Sequence, residues 1–334
     1  MATRQEFAHL TDPFRRELLA HCYRMLGSVD DAEDLVQETY LRAWRSYDGF
    51  EGRSSLRTWL YRIATSACLT ALEQRSRRPL PSGLGSPSDD DPERPLAPAL
   101  PEVAWLQPLP DALLDTVAAD PATVVAARAS VRLALVAALQ HLPAKQRAVL
   151  ILRDVLAWRA AEVADLLGIT SAAVNSLLQR ARAQLEQVAP LEDEVAEPTE
   201  PDRLALLDRY MAAFENADVT ALMRLMREDV VWEMPPFVAW FKGQEAVGRF
   251  IASQVFGPPD AWRMVPTSAN GQPAVAAYRR GHDGAHHAHA IQVLTVTAVG
   301  IAHVVTFLEP NLFAAFGLAA VHDAAAVAAS DPRH

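Results

Sequence analysis

The chain has 334 residues and a formal net charge of −10; 50% of its residues are hydrophobic and 22% are charged. This length and composition predict two or three globular domains and exclude disorder over most of the chain. The two cysteines have no metal-ligand or disulfide-framework spacing and the first ten residues contain no apolar signal-peptide region, so we expect a cytoplasmic protein with no metal site and no cofactor.

Charge is distributed unevenly along the chain. Residues 1–78 and 128–188 are mildly basic, whereas residues 79–127 and 189–334 are acidic. Local basic patches attract nucleic acid even when the whole chain is acidic, so the two basic stretches are candidates for DNA binding. The acidic stretches would oppose non-specific binding.

Residues 1–78 are predicted to form a small helical domain. In the helix near DDAEDLVQETYLRAW, one stripe is apolar and consists of Ala32, Leu35, Val36, Ala43 and Trp44. Ser28, followed by an acidic first turn, predicts the N-terminal cap of this helix. A second helix begins near Ser54 or Ser55 and has a partly basic polar side, which the residues alone allow to be either a nucleic-acid surface or an ordinary solvated face.

Residues 79–127 are predicted to be a linker. Residues 79–121 hold ten of the 23 prolines and contain the acidic run SPSDDDPERP, with little periodicity. Sequence of this kind is typical of an extended, hydrated connection, so we expect the flanking domains to take independent positions.

Residues 128–190 contain a pattern typical of a helix-turn-helix. A short apolar-striped helix precedes Gly168, which suits the left-handed turn residue, and Thr170 or Ser171 can cap the helix that follows. A buried stripe through Val174 and Leu178 leaves a face of short, amide and arginine side chains, the mixture that suits a helix in the DNA major groove. A plain helical hairpin is the alternative.

The order of these two motifs resembles a bacterial sigma factor of the extracytoplasmic-function (ECF) type. The resemblance covers about residues 7–78 and 128–188 and implies sigma domain 2 at 1–78 and sigma domain 4 at 128–190. It implies binding to core RNA polymerase, at its clamp helices and flap, and to promoter DNA. The residues it assigns to the polymerase clamp are Asp34, Gln37, Glu38 and Leu41. Those assigned to the −10 element are Arg53, Ser55, Arg57, Arg62, Thr65 and Ser66. Those assigned to the −35 element are Ser171, Asn175, Ser176, Gln179, Arg180 and Arg182.

The sequence departs from the common ECF pattern at several of these positions. Ser66 and Thr70 stand where many members have Asn and Asp in the promoter-melting helix, and Asn175 and Leu177 stand where Lys and Arg are frequent in the recognition helix. The promoter preference of other members is therefore not transferable. The string AVNSLLQRAR is similar to a SigG-like subgroup that carries an extra C-terminal domain.

After an acidic hinge at 191–201, residues 202–320 are predicted to form an α+β layer, followed by a tail at 321–334. Three helical segments surround the strand VVWEMPP, and strands follow around MVPTSANGQPAVAAYRR, HHAHAIQVLTVTAV and GIAHVVTFLE before a short helix. The uncharged run 290–308 is interrupted by polar residues and reads as two strands broken at Gly300 rather than a membrane span. The pattern resembles the cone-shaped SnoaL-like fold, in which helices and a curved antiparallel sheet enclose a pocket.

Aromatic and titratable residues in this last domain raise the question of catalysis. The residues predicted to line the pocket are Trp232, Met234, Phe237, Trp240 and Tyr278. The candidate acid or base groups are Asp229, Glu233, His287, His289 and Glu309, with strand alternation placing the two histidines on one face. Nothing pairs two carboxylates or a nucleophile with a base, so we expect no enzyme activity.

The whole sequence is therefore interpreted as a multidomain protein with two all-α sigma domains and a SnoaL-like domain that modulates them, where a small ligand is a candidate for the cup. One alternative is a one-component regulator that binds DNA through its helix-turn-helix and senses a ligand. Another is an enzyme tethered to DNA. No membrane partner is expected.

Overall fold

The structure is a computed structural model, and it describes residues 4–52, 54–73, 77–89, 91–97, 100, 102–114, 129–188 and 200–322. The chain divides into two compact units, which are described separately. The helical unit comprises Met1–Pro79 and Ala104–Glu192, and the cup unit comprises Leu80–Val103 and Asp193–His334.

Four helices form the first part of the helical unit, and the last two of them are the helices that the sequence predicts. They are α1 (Arg4–Thr11), α2 (Arg15–Leu26), α3 (Val29–Ser46) and α4 (Leu56–Glu73). The Ser28 hydroxyl accepts a hydrogen bond from the Asp31 amide (3.2 Å), which is the predicted cap of α3. One stripe residue differs from the prediction: Trp44 is 36% exposed, and its ring lies tilted against Phe7 with ring centroids 5.3 Å apart.

The second part of the helical unit contains the predicted helix-turn-helix. Its helices are α5 (Leu133–Leu139), α6 (Ala144–Leu150), α7 (Ala160–Leu167) and α8 (Ser171–Val188). Gly168 ends α7 in the left-handed conformation at φ 64°, and Thr170 Oγ1 accepts the Ala173 amide hydrogen (3.2 Å) at the start of α8. The α7 and α8 axes meet at 100°, as in a helix-turn-helix.

Residues 104–113 pack on the helical unit instead of forming the hydrated linker that the sequence predicts. Leu106 and Leu109 are fully buried. The Gln107 side chain accepts a hydrogen bond from Ser28 Oγ (2.6 Å) and donates one to Asp30 (3.1 Å) at the start of α3. The apolar side chains and amides between the prolines therefore find tertiary partners, which proline content alone does not indicate.

The cup unit has three helices before or beside its sheet and a short one after it. They are α9 (Glu200–Glu215), α10 (Val219–Leu225), α11 (Gln244–Phe250) and α12 (Leu312–Ala315). The strands are β1 (Met226–Glu233), β2 (Trp240–Lys242), β3 (Trp262–Ala269), β4 (Gln272–Arg280), β5 (His286–Thr297), β6 (Gly300–Phe307) and β7 (Val321–His322). Each strand predicted from the sequence is present, and the break at Gly300 is confirmed.

The seven strands form one sheet in the order β2-β1-β6-β5-β4-β3, with β7 on β5. The pairing is mixed rather than all antiparallel, because β1 runs parallel to β6 with Trp232 opposite Val304. The chain places α11 and four further strands between β1 and β6, and this long connection permits a parallel pair. Gly300 approaches the junction of α10 and β1 so closely that an added Cβ would lie 2.8 Å from the Leu225 carbonyl oxygen.

Residues 80–97 pack on the cup, so this part of the predicted linker also differs from an extended, hydrated chain. Pro81 is buried, and the Ser82 amide and hydroxyl donate to the Glu233 carboxylate at 2.7 and 3.0 Å. The Trp240 indole donates to the Gly85 carbonyl (3.1 Å). We call residues 80–97 the strap. The predicted hinge at 191–201 and the tail at 321–334 lie almost entirely outside the described residues.

No single helix in the described ranges is long and apolar enough to cross a membrane; only α7 and α8 taken together, across their bend, pass such a test.

Candidate functional site

The face of α3 assigned to the polymerase clamp lies on the outside of the helical unit. Asp34 and Gln37 are exposed, and Leu41 is 47% exposed. Glu38 forms an exposed ion pair with Arg42, one turn further along the helix (2.7 Å). Val36 and Ala43 on the opposite side are fully buried, so the amphipathic pattern of α3 identifies its outer face. An apolar side chain held out among acids is suited to docking on a partner.

The face of α4 assigned to the −10 element is only partly available. Ser55 and Ser66 are exposed, whereas two arginines are engaged in ion pairs. Arg57 forms a forked pair with Glu17 at 2.7–2.9 Å, and Arg62 pairs with Asp165 of α7. Arg53 lies outside the described residues.

Thr65 is a correction to the sequence prediction. Its side chain is fully buried and hydrogen-bonds His21 Nε2 of α2 (2.9 Å), so it belongs to the core between α2 and α4 and not to a DNA surface. Burial and the adjacent Arg24 lower the pKa of His21 to about 3, which keeps the imidazole neutral at pH 7. Thr65 therefore serves the packing of α4.

The face of α8 assigned to the −35 element is open. Val174, Leu178 and Ala181 are buried against the rest of the helical unit, as predicted. Every residue of the assigned face is exposed: Ser171, Asn175, Ser176, Gln179, Arg180 and Arg182. A short-side-chain N-terminus followed by amide and arginine groups is the arrangement used for base edges and phosphates.

The two arginines of α8 differ in their surroundings. Arg182 is held by both carboxylate oxygens of Asp154 at 2.7 and 2.9 Å, and this hydrogen bonding raises its pKa. Arg180 has no hydrogen bond or ion pair to another described residue. Arg180 is therefore the arginine of this face whose guanidinium is free to bind a phosphate.

The cup encloses a cavity of about 420 Å³. Trp232, Met234 and Phe237 line it, as the sequence predicts. Trp240 and Tyr278 do not: the Trp240 indole is turned to the strap, and the Tyr278 hydroxyl donates to the Ala319 carbonyl (3.0 Å). Each of these two aromatic side chains faces a segment whose position the sequence pattern does not reveal.

The candidate acid and base groups do not converge in the cavity. Glu233 is buried against Ser82 and His303, whose Nε2 lies 2.8 Å from its carboxylate. Burial raises the pKa of Glu233, but the hydrogen bonds from His303 and Ser82 outweigh burial and hold it below the ordinary value. Asp229 pairs with Arg227, and Glu309 is exposed after β6.

The two histidines assigned to one face of β5 have different surroundings. His289 lies at a bulge, since Ala277 pairs with Ala290 and Tyr278 pairs with Ala288, and it lines the cavity. His287 instead lies 2.8 Å from Asp283, outside the cavity. Within the described ranges, no three His, Cys, Asp or Glu side chains are grouped as metal ligands would be.

Sequence reasoning missed three side chains that shape these surfaces. Asp165 covers Arg62, and Trp158 packs edge-on against Tyr61 of α4 with centroids 6.1 Å apart. Arg279 is the cation of the cavity lining. About one hundred residues separate each of the first two from its partner, so no local pattern could indicate them.

Three family models match the chain, and their order agrees with the architecture. Sigma-70 region 2 matches residues 10–78, Sigma-70 region 4 matches residues 132–185, and a SnoaL-like domain matches residues 207–306.

The sequence is also similar over nearly its whole length to curated sigma factors. It is 55% identical over 318 residues to the ECF RNA polymerase sigma factor SigG of Mycobacterium tuberculosis, covering 94% of this chain and 84% of that one. It is 30% identical over 256 residues to SigJ of the same species, covering 74% and 73%. The crystal structure of Mycobacterium tuberculosis SigJ matches with a TM-score of 0.58 at 24% identity, over 93% of this chain and all of that one.

These relatives are sigma factors, which are not enzymes, in agreement with the expectation from the residues. A 55% identity that spans most of both chains, together with both sigma regions and the fused third domain, shows the family. The chain belongs to the ECF RNA polymerase sigma factors that carry a C-terminal SnoaL-like domain.

Proposed function

We propose that this ECF sigma factor docks on the clamp helices of core RNA polymerase through the outer face of α3 and reads the −35 element through the outer face of α8, in the cytoplasm. The observation that supports this most directly is the exposure of Leu41, one turn after Gln37 and Glu38, on a helix whose other side is core. A solvent-exposed leucine on an otherwise acidic face gains free energy when a partner covers it.

The −10 element is assigned to the exposed edge of α4, which carries Ser55, Arg57, Arg62 and Ser66. Arg57 and Arg62 have acidic partners within the helical unit, so their ion pairs compete with phosphates. Exposed pairs of this kind contribute about 0–1 kcal/mol and are exchanged at low cost. We therefore expect Arg62 to separate from Asp165 when this face binds DNA.

The SnoaL-like domain is proposed to modulate the sigma domains through the strap, with a small ligand in the cup. The strap follows α4 along the chain, and its hydrogen bonds to Glu233 and Trp240 fix its position on the cup. A ligand or substitution that breaks these hydrogen bonds would release the strap, which is the segment that joins α4 to the rest of the chain.

The polymerase assignment is tested with Leu41→Arg in the full chain. We expect binding to core polymerase to fall by about thirtyfold or more, because a charged group replaces the apolar anchor. Leu204→Arg is the matched control: Leu204 is 54% exposed in the cup unit, and this variant should bind like the wild type.

Circular dichroism of both variants separates docking from folding. An unchanged helical spectrum with lost binding supports the assigned face. Retained binding by a folded Leu41→Arg chain would remove this face of α3 from the polymerase interface.

A further inference from the structure

The cavity in the cup has the size and wall of a small-molecule site. Its 420 Å³ falls in the range of about 300–1,000 Å³ typical of such sites. Most of the lining is aromatic or aliphatic, with Trp232, Phe214, Phe250 and Trp262 as its largest members. The wall therefore favours an apolar molecule with rings or a branched chain.

The charge of the lining is one-sided. Among the described residues that line the cavity there is no aspartate or glutamate, and the one permanent cation of that set is Arg279 near the end of β4. Arg279 lies over the Trp262 ring, 5.7 Å from its centroid, and has no ion pair with another described residue. The other basic group, His289, is neutral at pH 7 because burial and then Arg279 lower its pKa to about 4.

Two further residues of the lining carry buried polar atoms without a hydrogen-bond partner in the described part of the chain. They are the indole nitrogen of Trp232 on β1 and the hydroxyl of Thr306 on β6. Native cores rarely leave such atoms unpaired, and an acceptor oxygen on a bound molecule is a group that would satisfy them.

We propose that the cup binds a small amphipathic anion, an apolar ring-containing body whose single acidic group pairs with Arg279. This inference rests on the proposed role of the cup as a ligand-binding modulator. A cation beside an apolar cavity attracts an anionic head group, and the absence of carboxylates among the described lining residues disfavours cationic ligands.

The strap supplies part of the same wall, so occupancy is linked to its docking. Pro95 and Leu96 line the cavity. Just before them, Asp91 and Glu93 pair with Arg249 of α11 at 2.8 and 3.1 Å. A molecule that contacts Leu96 binds the docked strap more tightly than the undocked one, and therefore shifts the strap towards the docked state.

The test uses two fluorescent probes of the same ring type in titrations of the full chain. 8-Anilino-1-naphthalenesulfonate carries one anionic group, and N-phenyl-1-naphthylamine lacks it. Arg279→Gln should weaken binding of the sulfonate by about fivefold or more and leave the neutral amine within about twofold. Arg280→Gln is the matched control, since Arg280 is the next residue of β4, lies outside the cavity lining and pairs with Asp260 (2.8 Å).

Ala290→Phe, which fills the cavity from β5, should abolish binding of both probes while the thermal unfolding transition of the chain persists. If that variant does not fold, the Arg279 and Arg280 comparison decides the question alone. Equal effects of the two arginine variants on the sulfonate, or sulfonate binding that survives a folded Ala290→Phe chain, would overturn the proposal. Neither assay needs polymerase or DNA, so a failure here is distinct from a failure of the sigma assignments.

Discussion

The helices α8 and α4 are both assigned to promoter DNA, yet the structure presents them differently. On α8 the buried and exposed sides are cleanly divided, and the whole assigned face is open. On α4 one assigned residue, Thr65, is core, and two assigned arginines are held by carboxylates. When a helix packs along one side only, the hydrophobic pattern of its sequence identifies the exposed face. When a helix packs on several sides, that pattern does not identify it.

The packing around α4 explains the difference. It contacts α2, α3 and α6, so only a narrow edge remains for a partner. Its polar residues are therefore divided among core hydrogen bonds, ion pairs and solvent.

The core side of α4 makes the helical unit sensitive to acid. An unfolded chain protonates His21 near pH 6.5, whereas the folded one does so only near pH 3, so stability is lost as pH falls through this window. At pH 4 the loss is about 3 kcal/mol. Urea unfolding followed by circular dichroism at pH 7 and pH 4 measures it, and His21→Gln should have a smaller difference between the two pH values than the wild type. Equal pH dependence in both proteins would show that His21 is accessible to protons.

Two glycines distinguish a helix end packed against the chain from one open to solvent. Both Gly27, after α2, and Gly168, after α7, have φ near 65–70°, but only at Gly27 would an added Cβ meet an atom, Leu106 Cδ1 at 2.7 Å. Gly168→Ala should cost about 1 kcal/mol from the left-handed conformation, and Gly27→Ala about 2–3 kcal/mol because the clash adds to it. Equal losses of unfolding free energy would contradict the docking of residues 104–113.

The open face of α8 predicts a difference between its two arginines. Arg180→Ala should weaken promoter binding about tenfold and lower the slope of log affinity against log salt by about one, because the variant lacks the guanidinium that is assigned to a phosphate. Arg182→Ala should change affinity by about twofold or less, because Asp154 already neutralises the charge of Arg182. Gel shifts at three salt concentrations measure both variants, and the reverse order would place Arg182 at the DNA.

The smallest expected effect tests the covered edge of α4. Asp165→Asn removes the ion pair of Arg62 and should increase promoter opening by holoenzyme about two- to threefold. Glu162→Gln on the same helix is the control. The Glu162 carboxylate accepts a hydrogen bond from the Arg159 backbone amide (2.7 Å), and the side-chain oxygen of a glutamine can accept the same bond. A permanganate footprint of the −10 region provides the measurement. Equal footprints for Asp165→Asn and the control would show that the pair does not restrain Arg62.

Local sequence chemistry predicts a large part of this fold. The Ser28 cap, the Gly168 turn and the Gly300 break each follow from one residue and its neighbours, and each is present in the structure. The parallel pairing of β1 with β6 and the docking of the strap on Glu233 were not predicted. Both depend on partners distant in sequence, and the hydrogen bonds from Ser82 to the buried Glu233 carboxylate leave no periodic pattern in the sequence.

Exposure follows the prediction where one amphipathic helix determines it and departs from the prediction where tertiary contacts do. The α3 and α8 faces are exposed as expected from their stripes, and their contacts with polymerase and DNA stay predictions. Thr65 is not on the surface where the motif puts it, and Trp240 does not line the cavity, since His21 and the strap take up their polar atoms.

Run-off transcription with purified core polymerase and the full chain, on a library of genomic promoters, measures whether this protein directs promoter-specific initiation. We predict discrete transcripts that require this protein and that disappear with Leu41→Arg but persist with Leu204→Arg. Specific promoter binding in gel shifts without any transcript from the wild-type chain would contradict it and favour a one-component regulator.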